Sequence, residues 1–161
     1  MSLPLEYIEI IKKKYAALGY PPYRWVISQT RPPWKPLTKP LSQCRVGLIA
    51  AGGIYVAGQV AFHYKDDTSF RVIPKEVKTE DLRITHFGYD FTDARRDPNV
   101  VFPIDPLRQL VKEGIISRLA EHAFTFMGGI YSTRRVLNEL APKLVQFLHR
   151  EEVDVALLVP V

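Results

Sequence analysis

The succession of apolar runs and helical patterns in this chain predicts a layered α/β fold, with a mainly parallel sheet flanked by helices behind an N-terminal helix and a Pro-rich extended arm. Three stretches carry that expectation. Arg45 to Gly53, RVGLIAAGG, is a short apolar run closed by two glycines, the form of a buried parallel strand that releases into a backbone-exposing loop. Ser132 or Thr133 caps a helical pattern with apolar positions at Val136, Leu137, Leu140, Leu144, Phe147 and Leu148, which Pro142 should kink or divide. Val153 to Val161, VDVALLVPV, then reads as a fully buried parallel strand.

Taken in order, Pro4 to Leu18 repeats apolar residues at helical spacing (Leu5, Ile8, Ile11, Tyr15, Leu18) and stops at Gly19, so an amphipathic helix is expected over residues 1–19. Six prolines between Tyr20 and Pro40 exclude a helix or a central strand there, which makes residues 20–41 an extended arm. Trp25 and Trp34 either pin that arm to the protein's own core or offer a surface to a partner subunit. Residues 42–161 form the α/β body, and the whole chain is read as a single domain. Within it, Phe70 to Ile73 is a short strand stopped by Pro74, and Phe124 and Phe126 flank another that ends at Met127, Gly128 and Gly129. The C-terminal ends of such strands are where open α/β sheets bind ligands.

The densest polar stretch is Leu82 to Arg108, LRITHFGYDFTDARRDPNVVFPIDPLR. It opens with a short β-type run and closes on Val100 to Ile104, expected as a strand, so His86, Asp90, Asp93 and Asp97 fall in a loop between strands. Asp105 before Pro106 reads as the N-cap of a helix that runs to about Glu113 and is closed by Gly114. An imidazole beside carboxylates supplies an anionic site and a group that titrates near neutral pH, which makes His86, Asp90 and Asp93 the candidate catalytic residues. The bland alternative is that Asp90 and Asp93 cap turns and pair with Arg95 or Arg96. No metal is expected, because Gly88 and Pro98 argue against the helix on which His86, Asp90, Asp93 and Asp97 would align. Gly52, Gly53, Gly128 and Gly129 either bare backbone N–H groups to a substrate carboxylate or simply make tight turns.

Composition bounds the rest. The chain has 161 residues, 47% hydrophobic and 24% charged, as soluble globular domains do. No apolar run reaches the roughly 18 residues of a membrane span, and Glu6 and Glu9 interrupt the N-terminus where a signal peptide would be apolar, so a cytoplasmic location and no membrane contact are expected. A single cysteine, Cys44, excludes an internal disulfide and reads as a buried thiol at a strand entry. The net charge of +5 comes from dispersed lysines and arginines without a nucleic-acid motif, so no nucleic-acid partner is expected.

The segments YPPYRW (Tyr20 to Trp25), PW-x-PL-x-KPLS (Pro33 to Ser42), RVGLIAAGGI, DLRITH, YD-x-x-DAR-x-D (Tyr89 to Asp97), VFPIDPLR, FMGGIY and VDVALLVPV, in this order, resemble the selenoprotein B family of the glycine, sarcosine, betaine and D-proline reductases. The resemblance runs almost the whole length of the chain. It implies an oxidoreductase component in which a selenol or thiol attacks the carbon next to the substrate's amino group and the resulting bond is resolved by a dithiol. A partner reductase subunit bearing a pyruvoyl group binds the substrate amine, a small amino acid or derivative, and an oligomer is expected. Tyr89 and Asp105, which fall in the matching segments, join the four glycines as candidate substrate-binding residues. In the family, a strand similar to Val153 to Val161 leads into the selenocysteine or a cysteine. That nucleophile would follow Val161, so no cofactor is expected in this chain and it should be inactive alone. A selenocysteine codon read as a stop gives one account, a truncated reading frame; the alternative is a non-catalytic binding or scaffold paralogue that holds a partner subunit or a small amino acid.

Overall fold

The computed structural model describes residues 6–22 and 26–161, and the chain divides into two compact units, Met1–Trp34 and Lys35–Val161. The first unit holds α1 (Tyr7–Ala17), closed by the Gly19 N–H bonding the Ala16 carbonyl at 3.0 Å, with Gly19 at φ +76°. Residues 26–40 carry no helix or strand, as their prolines require. Trp34 is 84% exposed, and Trp25 lies outside the described residues.

The second unit is a mixed α/β layer built on β1 (Arg45–Ala50), which pairs on both of its edges. On one edge it is parallel to β5 (Arg118–Leu119) and then β6 (His122–Phe126); on the other it is parallel to β7 (Val155–Val159). Val46, for example, faces Leu119 on one side and Val155 on the other. β3 (Phe70–Pro74) lies antiparallel to β6, so the sheet is mainly parallel with one antiparallel edge strand. β2 (Ile54–Val56) and β4 (Leu82–Ile84) form a separate antiparallel pair beyond the end of β1.

Alternation along β1 gives the sheet two buried faces. Val46, Leu48 and Ala50 join Phe102, Ile104 and Leu107 in one core, whereas Ile49 joins Phe124, Leu140 and Leu144 in the other. The first core is covered by α3 (Ile104–Lys112), the second by α5 (Ala141–Arg150). Gly47 lets α5 come close: a Cβ there would stand 3.0 Å from Leu148 Cδ2 and 3.1 Å from Val153 Cγ1. The helix leading to α5 starts at α4 (Thr133–Arg135), where the Ser132 hydroxyl accepts from the Arg135 N–H at 3.4 Å. It widens into a π turn over Val136–Leu140 before Pro142, whose missing N–H falls in the first turn of α5. The proline therefore divides the helix.

Four expectations are corrected. Val100 to Ile104 is not a strand: Pro98–Val100 is a 3-10 turn and Ile104 already begins α3. Pro98, Pro103 and Pro106 remove N–H donors that an inner strand would need, and the Asp97 carboxylate opens the turn by accepting from the Asn99 N–H at 3.0 Å. Asp105 stands inside the first turn of α3 rather than at its cap, which is Pro103. Part of the loop after β4 is helical, as α2 (Thr92–Arg96). β7 is parallel but not fully buried, since Leu157 and Leu158 are exposed.

Phe124 is fully buried, with Phe70 edge-on to it at 6.0 Å and Phe147 tilted against it at 5.3 Å between ring centroids. Truncating it to alanine removes the centre of the second core, so Phe124→Ala should cost about 3–5 kcal/mol in chemical denaturation. A loss below about 1 kcal/mol would mean that α5 does not close on the sheet there.

Candidate functional site

The ends of β1, β6 and β7 meet at one edge of the sheet, because the three strands are parallel. Beyond β1 the chain continues as Ala51, Gly52 and Gly53, and beyond β6 as Met127 and Gly128. These two exits are laced together: the Gly128 N–H donates to the Ala51 carbonyl at 2.9 Å, and the Gly53 N–H to the Phe126 carbonyl at 3.1 Å. Those two N–H groups are therefore committed to the backbone ladder rather than bared to a ligand. Gly53 takes φ +68°, and a side chain there would collide with the Thr85 carbonyl oxygen, while its own carbonyl accepts from the Thr85 N–H at 2.9 Å. This junction ties the start of the His86 loop to the end of β1.

His86 follows directly and its ring turns into the glycine edge. A Cβ on Gly128 would lie 3.2 Å from His86 Nε2 and 3.8 Å from the Val161 carbonyl oxygen, and one on Gly52 would lie 3.4 Å from Val161 Cγ2. The glycines leave the space that the imidazole enters. His86 stacks against Phe87 at 5.8 Å and tilts over Tyr89 at 4.6 Å, and the Tyr89 hydroxyl donates to the Gly52 carbonyl at 3.0 Å. Phe87 in turn meets Gly129, where a Cβ would stand 3.0 Å from the ring. His86, Tyr89, Gly52, Gly53, Gly128 and Gly129 thus form one cluster beside Val161.

The protonation of His86 follows from its partners. The Gly88 N–H points at Nδ1 from 2.8 Å, and a backbone N–H only donates, so Nδ1 holds a lone pair. Burial pushes the imidazole below its ordinary value of 6.5, which keeps the ring neutral at pH 7. The one ring proton then sits on Nε2, a buried nitrogen with no hydrogen-bond partner among the described residues. An unpartnered N–H donor of this kind is suited to an anion or a carbonyl oxygen. Burial likewise raises the Tyr89 phenol above its ordinary value of 10.0, so it remains a neutral donor.

The other candidates make different contacts. Asp90 accepts from the Thr92 N–H at 2.9 Å and hydroxyl at 2.7 Å, bonds that hold its carboxyl below the usual range and start α2. Asp93 is on α2 with an 80% exposed side chain, 3.7 Å from Arg96. Arg95 lies over the Phe91 ring at 4.3 Å. Asp105 accepts from the Thr79 hydroxyl at 2.6 Å, from Asn99 at 3.1 Å and from Arg108 at 2.6 Å, contacts that lower its carboxyl and join three segments. Cys44 is fully buried at the opposite end of β1, its thiol 3.4 Å from the Pro40 carbonyl. Among the described residues, no group of three or more His, Cys, Asp or Glu converges as a metal site would.

Sequence reasoning missed Thr85, Phe87 and Val101, which shape the cluster through a backbone carbonyl, a ring and a contact with Gly52. Only the first two had a signal, as the neighbours of His86 in sequence.

The fold and this edge define an α/β domain with a histidine and paired glycines at the C-terminal ends of its parallel strands. A sequence profile of glycine/sarcosine/betaine reductase selenoprotein B matches residues 23–160, and the chain belongs to that family. It is 41% identical over 130 residues to D-proline reductase subunit gamma of Acetoanaerobium sticklandii, a match covering 80% of this chain and 54% of that subunit. It is 26% identical over 160 residues to glycine reductase complex component B subunit gamma of Symbiobacterium thermophilum, covering 94% of this chain and 36% of the relative. Against sarcosine reductase complex component B subunit beta of Peptoclostridium acidaminophilum the identity is 30% over 107 residues, 61% of this chain and 24% of the relative. The chain therefore spans about half the length of the first relative and less of the others. No solved structure gives a significant match. No helix among the described residues is long and apolar enough to cross a membrane.

The His86 assignment is testable by NMR titration, with 15N shifts expected to report an Nε2–H tautomer and a midpoint below 6.5. Between that midpoint and 6.5 the unfolded chain binds more protons than the folded one. The contribution of His86 to stability is accordingly present above about 6.5 and is lost as the pH falls towards the folded midpoint. A midpoint above 6.5, or a proton on Nδ1, would refute the neutral-donor assignment.

Proposed function

We propose that this chain is a component of an amino-acid reductase that cleaves a C–N bond of D-proline, or of glycine, sarcosine or betaine, with a dithiol as electron donor, and that it is inactive alone. The observation that carries this reading is the 41% identity to D-proline reductase subunit gamma across 80% of the chain. In the balanced reaction the C–N bond breaks, the carbon gains hydrogen, the nitrogen leaves as an amine and two thiols become a disulfide. The buried Nε2–H of His86 supports a binding role at the glycine edge, as a donor to a substrate carboxylate or to an anionic sulfur or selenium. Asp90 and Asp93 are the exposed carboxylates of the same loop and are suited to attract an ammonium group. Tyr89 donates to the Gly52 carbonyl and so fixes the glycine exit beside His86. Asp105 keeps no such role in this reading, because Thr79, Asn99 and Arg108 already engage its carboxylate.

The nucleophile, a selenol or thiol, comes from a segment other than these 161 residues. Cys44 is ruled out by distance: from Cys44 to Gly52 the chain advances at about 3.3 Å per residue, roughly 25 Å in all, and no side chain spans that gap. A pyruvoyl group on a partner subunit would hold the substrate amine. His86 would face the carboxylate or the nucleophile from the side of the sheet.

The test compares this chain with a version completed by the remainder of the Acetoanaerobium sticklandii subunit, cysteine replacing any selenocysteine, each with the partner subunit, D-proline and a dithiol. Turnover is expected from the completed version only, unaffected by Cys44→Ala and lowered about 100-fold by His86→Gln. Turnover by the short chain would overturn its proposed inactivity. Binding of the partner without turnover by either version would favour the scaffold alternative instead.

A further inference from the structure

β7 pairs with β1 along its whole length and with no other strand among the described residues. A parallel strand is ordinarily covered on both faces. Yet Leu157, on one face of β7, is 40% exposed, and Leu158, on the other, is 65% exposed. The strand reads VALLV, without a lysine, proline or bulge to blunt its free edge. On the Leu158 side a cavity of about 550 Å³ opens between β7 and the helix formed by the π turn and α5. All thirteen residues lining it are apolar, among them Ile49, Leu140, Leu144, Ala156 and Leu158.

We propose that this edge and groove are the docking surface for the polypeptide by which the longer family subunits exceed this chain, entering as a strand added to β7 and a helix whose apolar face fills the groove. The chain accounts for 54% of D-proline reductase subunit gamma and 36% of a glycine reductase subunit gamma, so those relatives carry a large further segment that needs a surface to fold against. An exposed parallel strand with leucines on both faces and an open apolar groove beside it provides the two contacts that a strand and helix unit buries. A small ligand fits less well, because binding pockets place a few polar groups among apolar ones and this lining contains no polar residue. A second copy also fits less well. Two β7 strands paired antiparallel about Leu157 would set Leu158 of one opposite Ala156 of the other, a single side chain for a cavity of about 550 Å³. The inference rests on family membership and on this surface, not on the catalytic role of His86.

The test mixes the 161-residue chain with a separately produced polypeptide comprising the part of the Acetoanaerobium sticklandii subunit that lies outside the matched region. A one-to-one complex is expected by size-exclusion chromatography with light scattering, together with slowed amide hydrogen exchange in Val155–Val159. Leu158→Glu and Ala156→Arg should each weaken the complex by about tenfold or more, whereas Val60→Glu, on a residue that is 78% exposed outside the groove, should not. Each variant is checked by circular dichroism, and Leu158→Glu should fold, because its side chain is already largely in water. No complex, a complex indifferent to both groove substitutions, or a dimer of the short chain with β7 protected in the absence of the fragment would each overturn the proposal. Turnover is not read here, so this failure is separable from that of the proposed activity.

Discussion

The architecture of the second unit depends on the backbone ladder along β1. This strand is the only one that pairs on both edges with parallel neighbours among the described residues, and every layer is positioned through it. Its side chains alternate between two cores, so a shift of one residue would exchange Val46, Leu48 and Ala50 with Gly47 and Ile49. Gly47 then has a specific place: only a residue without a side chain lets Leu148 and Val153 come that near.

The same ladder continues past the regular strand and makes the candidate site. Ala51 and Gly53 pair with the exit of β6, and Gly53 pairs again with Thr85, so three chain segments are joined within a few residues. The close approach at Gly53 holds Thr85, and Thr85 aims the adjacent His86. Placing a neutral imidazole in that space leaves one N–H without a partner among the described residues, a local cost that stable folds rarely keep without use. The surrounding carboxylates follow ordinary structural chemistry. Asp90 and Asp97 start short helical turns, and Asp105 ties Thr79 and Asn99 to α3.

β7 has a different standing. It aligns fully with β1, but its leucines face water on both sides. Burial of such side chains is worth roughly 25 cal/mol per Å² of apolar surface, so an uncovered edge and groove leave stabilisation unused that a longer family subunit has the chain length to recover.

The sequence alone determined that strands lie within Arg45 to Gly53 and Val153 to Val161, that the helix divides at Pro142 and where the glycine exits fall, because apolar runs, proline and glycine act through local backbone chemistry; the family was legible in the order of its motifs. It also placed the glycines at the C-terminal edge, since parallel strands share that edge. His86 follows β4 of the separate antiparallel pair, and the pairing of Thr85 with Gly53 brings it to the same edge. Val100 to Ile104 was misread because four apolar residues within five positions suit either a strand or the start of a helix, and Pro103 within the run with Pro98 and Pro106 beside it decides for the turn and helix. Only the tertiary structure decided which loop residues reach the glycine edge. His86 and Asp93 are seven positions apart in one polar stretch, yet one ring enters the glycine edge and the other side chain points to water. The direction of a loop is set by contacts distant in sequence, here Gly53 with Thr85 and Tyr89 with Gly52, and no local pattern encodes them. The exposure of β7 was likewise out of reach, because an apolar strand reads the same whether its covering layer belongs to the same fold unit or to another segment.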